Sequence, residues 1–145
     1  MNKPKAIRFN RRLGANLDTT LDKILYVEDE PRIQFITKMA LERLGGFTIA
    51  VCSSGAEALE TAPGFGPDMV LLEVRMPGLS GPETFEALRK LPGFEKTPVV
   101  FMTANVMKED IDRYRAMGVA DVIAKPFEPP ELPDKLRGIW ALYDE

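Results

Sequence analysis

The stretch Asp68-Met69-Val70-Leu71-Leu72-Glu73-Val74-Arg75-Met76-Pro77-Gly78-Leu79-Ser80-Gly81 decides the fold. Met69 to Leu72 are apolar without alternation. A strand that hides both faces has this pattern, and such strands belong to parallel sheets covered by helices. Glu73 follows at the carboxyl end of the run. Met76-Pro77-Gly78 breaks the strand, and Ser80 with Glu83 has the spacing of a capping box that opens a helix. In open α/β sheets, ligands meet the carboxyl ends of strands. Glu73 is therefore either an ordinary strand-end acid or part of a site.

Outward from this stretch the same alternation repeats. Ile24-Leu25-Tyr26-Val27 is a short strand, followed by Glu28-Asp29-Glu30 and then Pro31, a residue suited to the first turn of a helix. An acid just before Pro31 is placed to cap it. Ile33, Ile36, Thr37, Ala40, Leu41 and Leu44 fall on one helical face, and Gly45-Gly46 ends that helix. Phe47 to Cys52 is the second strand. Ser54 and Glu57 open a helix that Pro63-Gly64 is expected to stop. Thr97 to Thr103 is the fourth strand, Lys108 to Met117 a helix ending at Gly118, and Asp121 to Lys125 the fifth strand. Leu132, Leu136, Ile139, Trp140 and Tyr143 carry the last helix. Five β–α units in series predict a parallel sheet with right-handed crossovers. With the fifth helix the pattern is complete, and no attached output domain is expected.

The 145 residues suit one core and are 45% hydrophobic and 28% charged. No apolar run reaches a membrane span, and the N-terminus lacks the apolar core of a secretory signal. These features predict a cytoplasmic protein with no membrane partner. Residues 1–22 hold Lys3, Lys5, Arg8, Arg11 and Arg12 against Asp18 and Asp22, a net of +3, whereas residues 23–145 carry −6. The basic extension is expected to be disordered, and the acidic domain does not favour nucleic acid. Cys52 is the single cysteine and there is no histidine. Catalysis by histidine, disulfides within the chain and soft-ligand metal sites are thereby excluded.

Glu28, Asp29, Glu73, Thr103 and Lys125 all stand at carboxyl ends of strands. In a parallel sheet those ends share one edge, so three carboxylates converge beside a hydroxyl and an ammonium. Clustered carboxylates repel, and a hard divalent cation relieves that repulsion. The hydroxyl and ammonium suit phosphoryl oxygens. Each residue also has a plainer reading: Asp29 or Glu30 as a helix cap, Thr103 as a strand end, Lys125 as a surface lysine. Together they point to a Mg²⁺-dependent phosphoryl site.

From Lys23 onward the chain resembles the response-regulator receiver domains of two-component signalling. The resemblance is carried by Ile24-Leu25-Tyr26-Val27-Glu28-Asp29-Glu30, Met76-Pro77-Gly78 with Gly81, Met102-Thr103-Ala104 and Lys125-Pro126-Phe127. It implies a flavodoxin-like (βα)5 sandwich with strand order 2-1-3-4-5. It implies further that an aspartate ending the third strand accepts a phosphoryl group from a histidine kinase or phosphotransfer protein. By position, Glu28, Asp29, Glu73 and the Arg75 backbone carbonyl would hold Mg²⁺. Thr103 and Lys125 would sense the phosphoryl group, and Ala104 would leave the pocket open. The Lys125-Pro126 bond is often cis in such domains. A homodimer through helix four, strand five and helix five is a further implication.

Three positions depart from the family pattern, one of them Arg75, a long cation beside the acidic pocket whose head either pairs with Glu28 or Asp29 or extends into solvent. The phosphoacceptor position holds Glu73, one methylene longer than aspartate. In-line transfer tolerates little misplacement, since about 1 Å can cost on the order of 10²-fold. Phosphorylation is expected to be impaired, or partly mimicked by a Glu73–Lys125 pair, and the family's self-phosphorylation chemistry weak or lost, so the chain is not expected to be an enzyme. Val122 stands where many receivers have an aromatic, and valine has no ring to swing. Two alternatives remain open. Glu73 or a neighbouring acid is an active acceptor, or Glu73 is an engineered change in an ordinary receiver.

Overall fold

The computed structural model describes residues 20–143 and, as backbone strands alone, 7–10 and 15–18. Five parallel strands form the central sheet: β1 (Lys23–Val27), β2 (Thr48–Cys52), β3 (Met69–Glu73), β4 (Val99–Thr103) and β5 (Asp121–Ala124). Their spatial order is β2-β1-β3-β4-β5, all pairs parallel. This is the flavodoxin-like order expected from the sequence. Helices connect them: α1 (Pro31–Met39), α2 (Gly55–Phe65), α3 (Gly81–Arg89), α4 (Lys108–Met117) and, after β5, α5 (Leu132–Tyr143).

The unbroken apolar runs have a direct cause. Leu25, Val27, Val70, Leu72 and Phe101 face one core layer with Phe85, Leu88 and Tyr114. Their neighbours Ile24, Tyr26, Leu71, Val100 and Met102 face the other, with Leu41, Leu132, Leu136 and Ile139. Successive side chains enter opposite layers, and both layers exclude water. Every residue of β3 and β4 is buried.

Four local expectations change. Glu30 occupies the cap position of α1, but its side chain makes no capping hydrogen bond. Helix α1 runs on into a π-helical turn, Ala40–Leu44, in which the Gly45 amide donates to the Ala40 carbonyl at 3.2 Å. Leu44, within that wider turn, is 61% exposed, and Ile36, in the regular helix before it, is 49% exposed, while Thr37, Ala40 and Leu41 are buried. Helix α2 passes through Pro63 and ends only at Gly66, whose φ is 65°. Pro63 is exposed and the lost amide lies in the last turns, where the left-handed glycine closes the helix instead. Packing also reaches back past Lys23. Leu21 belongs to the second core layer, and the Asp22 and Lys23 amides donate to the Asp68 carboxylate at 3.0 and 2.9 Å. The expected disorder of residues 1–22 falls largely outside the described residues, although Ile7–Asn10 pairs antiparallel with Ala15–Asp18.

The capping box at α3 forms as read. The Glu83 amide donates to Ser80 Oγ at 3.2 Å and the Ser80 amide to Glu83 Oε1 at 2.9 Å. Gly81 is required by proximity, because a Cβ there would stand 2.6 Å from the Glu73 carbonyl oxygen and 2.8 Å from Val74 Cα. The absence of a side chain lets α3 begin against the end of β3.

Candidate functional site: an acidic cleft closed by a lysine

At the carboxyl edge of the sheet, a cleft of about 610 Å³ is lined by Glu28, Asp29, Glu30, Ile33, Glu73, Arg75, Thr103, Ala104, Asn105 and Lys125. Every candidate from the sequence borders it. Glu28 and Thr103 are each 1% exposed and Glu73 5%, whereas Asp29 and Arg75 are exposed at the rim. Parallel register explains the convergence: Val27 pairs with Leu72, Glu73 with Met102 and Thr103 with Ala124. The residues that end each strand are thereby level with one another.

Lys125 Nζ lies between the two buried acids. It donates to Glu28 Oε1 at 3.0 Å and to Glu73 Oε1. The second oxygen of Glu73 accepts from the Val74 amide at 2.9 Å and the Arg75 amide at 3.3 Å. The Val74 amide is shared with the Met102 carbonyl. Glu28 Oε2 accepts from the Glu30 amide at 3.2 Å. Lys125 is set by the turn after β5: its amide donates to the Thr103 carbonyl at 2.9 Å, and the Lys125–Pro126 peptide is cis.

Burial pushes the Glu28 carboxyl above its usual range, and the hydrogen bond from Lys125 only partly offsets this. For Lys125 the balance goes the other way. Burial alone would lower it, but hydrogen bonds to Glu73 and Glu28, with their charges, hold it above the ordinary lysine value. The ammonium therefore stays protonated at neutral pH.

The trio of acids anticipated for a metal does not assemble. Among the described residues no three acidic side chains come together in a way that could hold a metal ion. Glu28 and Glu73 meet around an ammonium instead, and Asp29 is exposed at the cleft rim. As arranged, the donor set does not fit a divalent cation, because Nζ takes the position between the carboxylates.

Thr103 Oγ1 accepts from the Asn105 amide at 3.0 Å, and Asn105 Nδ2 donates to Asp110 at the start of α4 at 2.9 Å. Val122 is half-buried against the first core layer. Sequence reasoning missed two neighbours. Gln34 Nε2 donates to the Glu28 carbonyl and, at 3.0 Å, to Ser53 Oγ. Tyr26 is fully buried with its hydroxyl 3.5 Å from Glu28 Oε1. Burial raises its phenol well above the ordinary tyrosine value, and Glu28 and Glu73 add to the effect. A lone tyrosine in an aliphatic strand was the available signal, since a buried hydroxyl needs a partner.

Comparison with known proteins agrees with this geometry. The response regulator receiver domain family matches residues 24–137. The chain is 34% identical over 121 residues to the DNA-binding response regulator MtrA of Mycolicibacterium smegmatis, covering 83% of this chain and 51% of that protein. It is 38% identical over 114 residues to the uncharacterized transcriptional regulatory protein YkoG of Bacillus subtilis, covering 79% and 49%. The chain thus spans about half the length of the curated relatives it matches. Among solved structures, Vibrio cholerae chemotaxis protein CheY4 superposes with a TM-score of 0.77 at 27% identity, covering 83% of this chain and 99% of that one. The receiver domain of sensor histidine kinase PA1611 of Pseudomonas aeruginosa, with a magnesium ion coordinated in its active-site cleft, gives 0.74 at 28% identity, covering 83% and 98%. Fold, edge chemistry and family match agree, and the chain belongs to the response regulator receiver domain family.

Proposed function

We propose that this receiver domain works as a signalling interaction module whose phosphoryl pocket is held shut by Glu73 and Lys125. One observation carries the reading. The Glu73 carboxylate, in the position the family resemblance gives to the phosphoacceptor, is bonded at once to the Lys125 ammonium and to the Val74 and Arg75 amides. Those are the donors that would otherwise face an incoming phosphoryl group. A carboxylate carries less charge and fewer acceptor oxygens than a phosphoryl group, so the pair mimics the phosphorylated form only in part. Thr103, tied through Asn105 to α4, is the sensing hydroxyl of this reading.

The partner is a histidine kinase or phosphotransfer protein. Support comes from α1 and its π-turn, where Phe35 (66% exposed), Ile36, Met39 and Leu44 form an outward apolar stripe beside the exposed Arg32 and Arg43. A stripe of this kind, rimmed by charge, is a docking surface. Val106 and Met107, exposed at the start of α4, support a second contact through α4, β5 and α5 with another copy. No described helix is long and apolar enough to cross a membrane.

The test is intact mass after incubation with acetyl phosphate and Mg²⁺, for this chain and for Glu73→Asp. Uptake of a phosphoryl group by the Asp variant alone supports the proposal. Uptake by the unaltered chain overturns it.

A further inference from the structure

We infer that Lys125 is the pocket's resident cation, and that the ion-paired pocket of this chain excludes Mg²⁺ rather than requiring it. The inference rests on the reading of Glu73 given above and goes beyond it, because a blocked phosphoacceptor could still sit beside an intact metal site.

The argument is an inventory of donors. Of the four carboxylate oxygens on the two buried acids, one of each acid faces Lys125 Nζ and the other accepts backbone amides. None is left without a donor, so the usual reason for a cation in an acidic cleft, unrelieved carboxylate repulsion, is already met. Mg²⁺ dehydrates reluctantly and wants oxygens in near-octahedral array. To gain Glu28 and Glu73 as ligands it would have to displace an ammonium whose side chain is only 14% exposed, breaking two charge-assisted hydrogen bonds. Asp29, exposed at the rim, cannot by itself assemble the site. The extra methylene of Glu73 is the cause. It extends the carboxylate toward the ammonium, a reach that Glu73→Asp shortens by one methylene. Lys125 is held protonated by the same contacts, so the arrangement persists across the neutral range.

The experiment is isothermal titration of the full chain with MgCl₂, alongside Glu73→Asp and Lys125→Met, each also followed by thermal unfolding with and without Mg²⁺. The unaltered chain is expected to show no saturable uptake below about 10 mM, weaker than the roughly millimolar end of ordinary hard-cation sites. Each variant is expected to bind at least about tenfold more tightly and to gain thermal stability from the ion. Saturable binding by the unaltered chain below about 10 mM overturns the inference, as does failure of both variants, correctly folded, to gain affinity. Should neither variant fold, the titration of the unaltered chain decides alone. The two proposals fail separately. A chain that binds Mg²⁺ yet takes up no phosphoryl group overturns this inference and leaves the function standing. A chain that takes up the phosphoryl group overturns the function.

Discussion

Lys125→Met replaces the buried ammonium with an apolar side chain of similar length. Glu28 and Glu73 then face each other without a cation, at 1% and 5% exposure. Removing one member of a buried ion pair costs about 3–5 kcal/mol, because the charge left behind is uncompensated. Lys125 is slightly open to solvent and the backbone amides still serve both acids, so the lower end applies, about 3 kcal/mol at pH 7. For a chain of this length about 2–4 °C accompanies each kcal/mol, giving a fall of roughly 6–12 °C in Tm. The loss should depend on pH with a definite sign. Without the ammonium the Glu28 carboxyl, already raised by burial, rises further. The folded state then binds a proton more readily than the unfolded one, and stability increases as pH falls. The deficit should therefore be smaller at pH 5 than at pH 8. Urea unfolding followed by fluorescence of Trp140, the single tryptophan, measures it. A loss below about 1 kcal/mol, the range of exposed ion pairs, would refute the reasoning.

Gly81→Ala places a Cβ against the Glu73 carbonyl and Val74 Cα, and overpacking of this kind costs about 1–3 kcal/mol; equilibrium denaturation should show it. The alkaline limb of stability should fall as pH rises past about 10, where unfolded lysine and tyrosine lose protons that Lys125 and Tyr26, both raised in the fold, retain; thermal unfolding between pH 9 and 11 should lose less of its slope in any other Lys→Met control than in Lys125→Met. On α1, Leu41→Ala should cost about 2–5 kcal/mol because Leu41 is fully buried. Phe35→Ala on the exposed stripe should change stability by no more than about 0.5 kcal/mol while weakening capture of a cognate phosphotransfer partner.

The sheet was readable because its strands hide both faces. Ile24–Val27 and Met69–Leu72 are uninterrupted apolar runs, and with helical patterns between them a covered parallel sheet accommodates them in series. The site's membership was readable for a related reason: parallel register puts the ends of β1, β3, β4 and the residue after β5 level, so Glu28, Glu73, Thr103 and Lys125 had to meet. What periodicity could not convey was rotation. A template of 3.6 residues per turn places Ile36 and Leu44 inward, whereas both are exposed, Leu44 within the π-turn Ala40–Leu44. Nor could it convey which charge neutralises which. Three acids at one edge suggest a metal, but the reach of the Glu73 side chain and the register of β5 bring an ammonium to that point. Pro63 looks like a stop when its missing amide is weighed without Gly66, three residues on, which closes the helix in the left-handed conformation.

The account stands on the coupling between Glu73 and Lys125. A double-mutant cycle of Glu73→Gln, Lys125→Met and the pair, read as unfolding free energies in urea, isolates it. The predicted interaction energy is about 1.5–3 kcal/mol, with the double variant less destabilised than the sum of the single ones. A value under about 0.5 kcal/mol would mean that the two groups act independently, and would contradict the closed pocket.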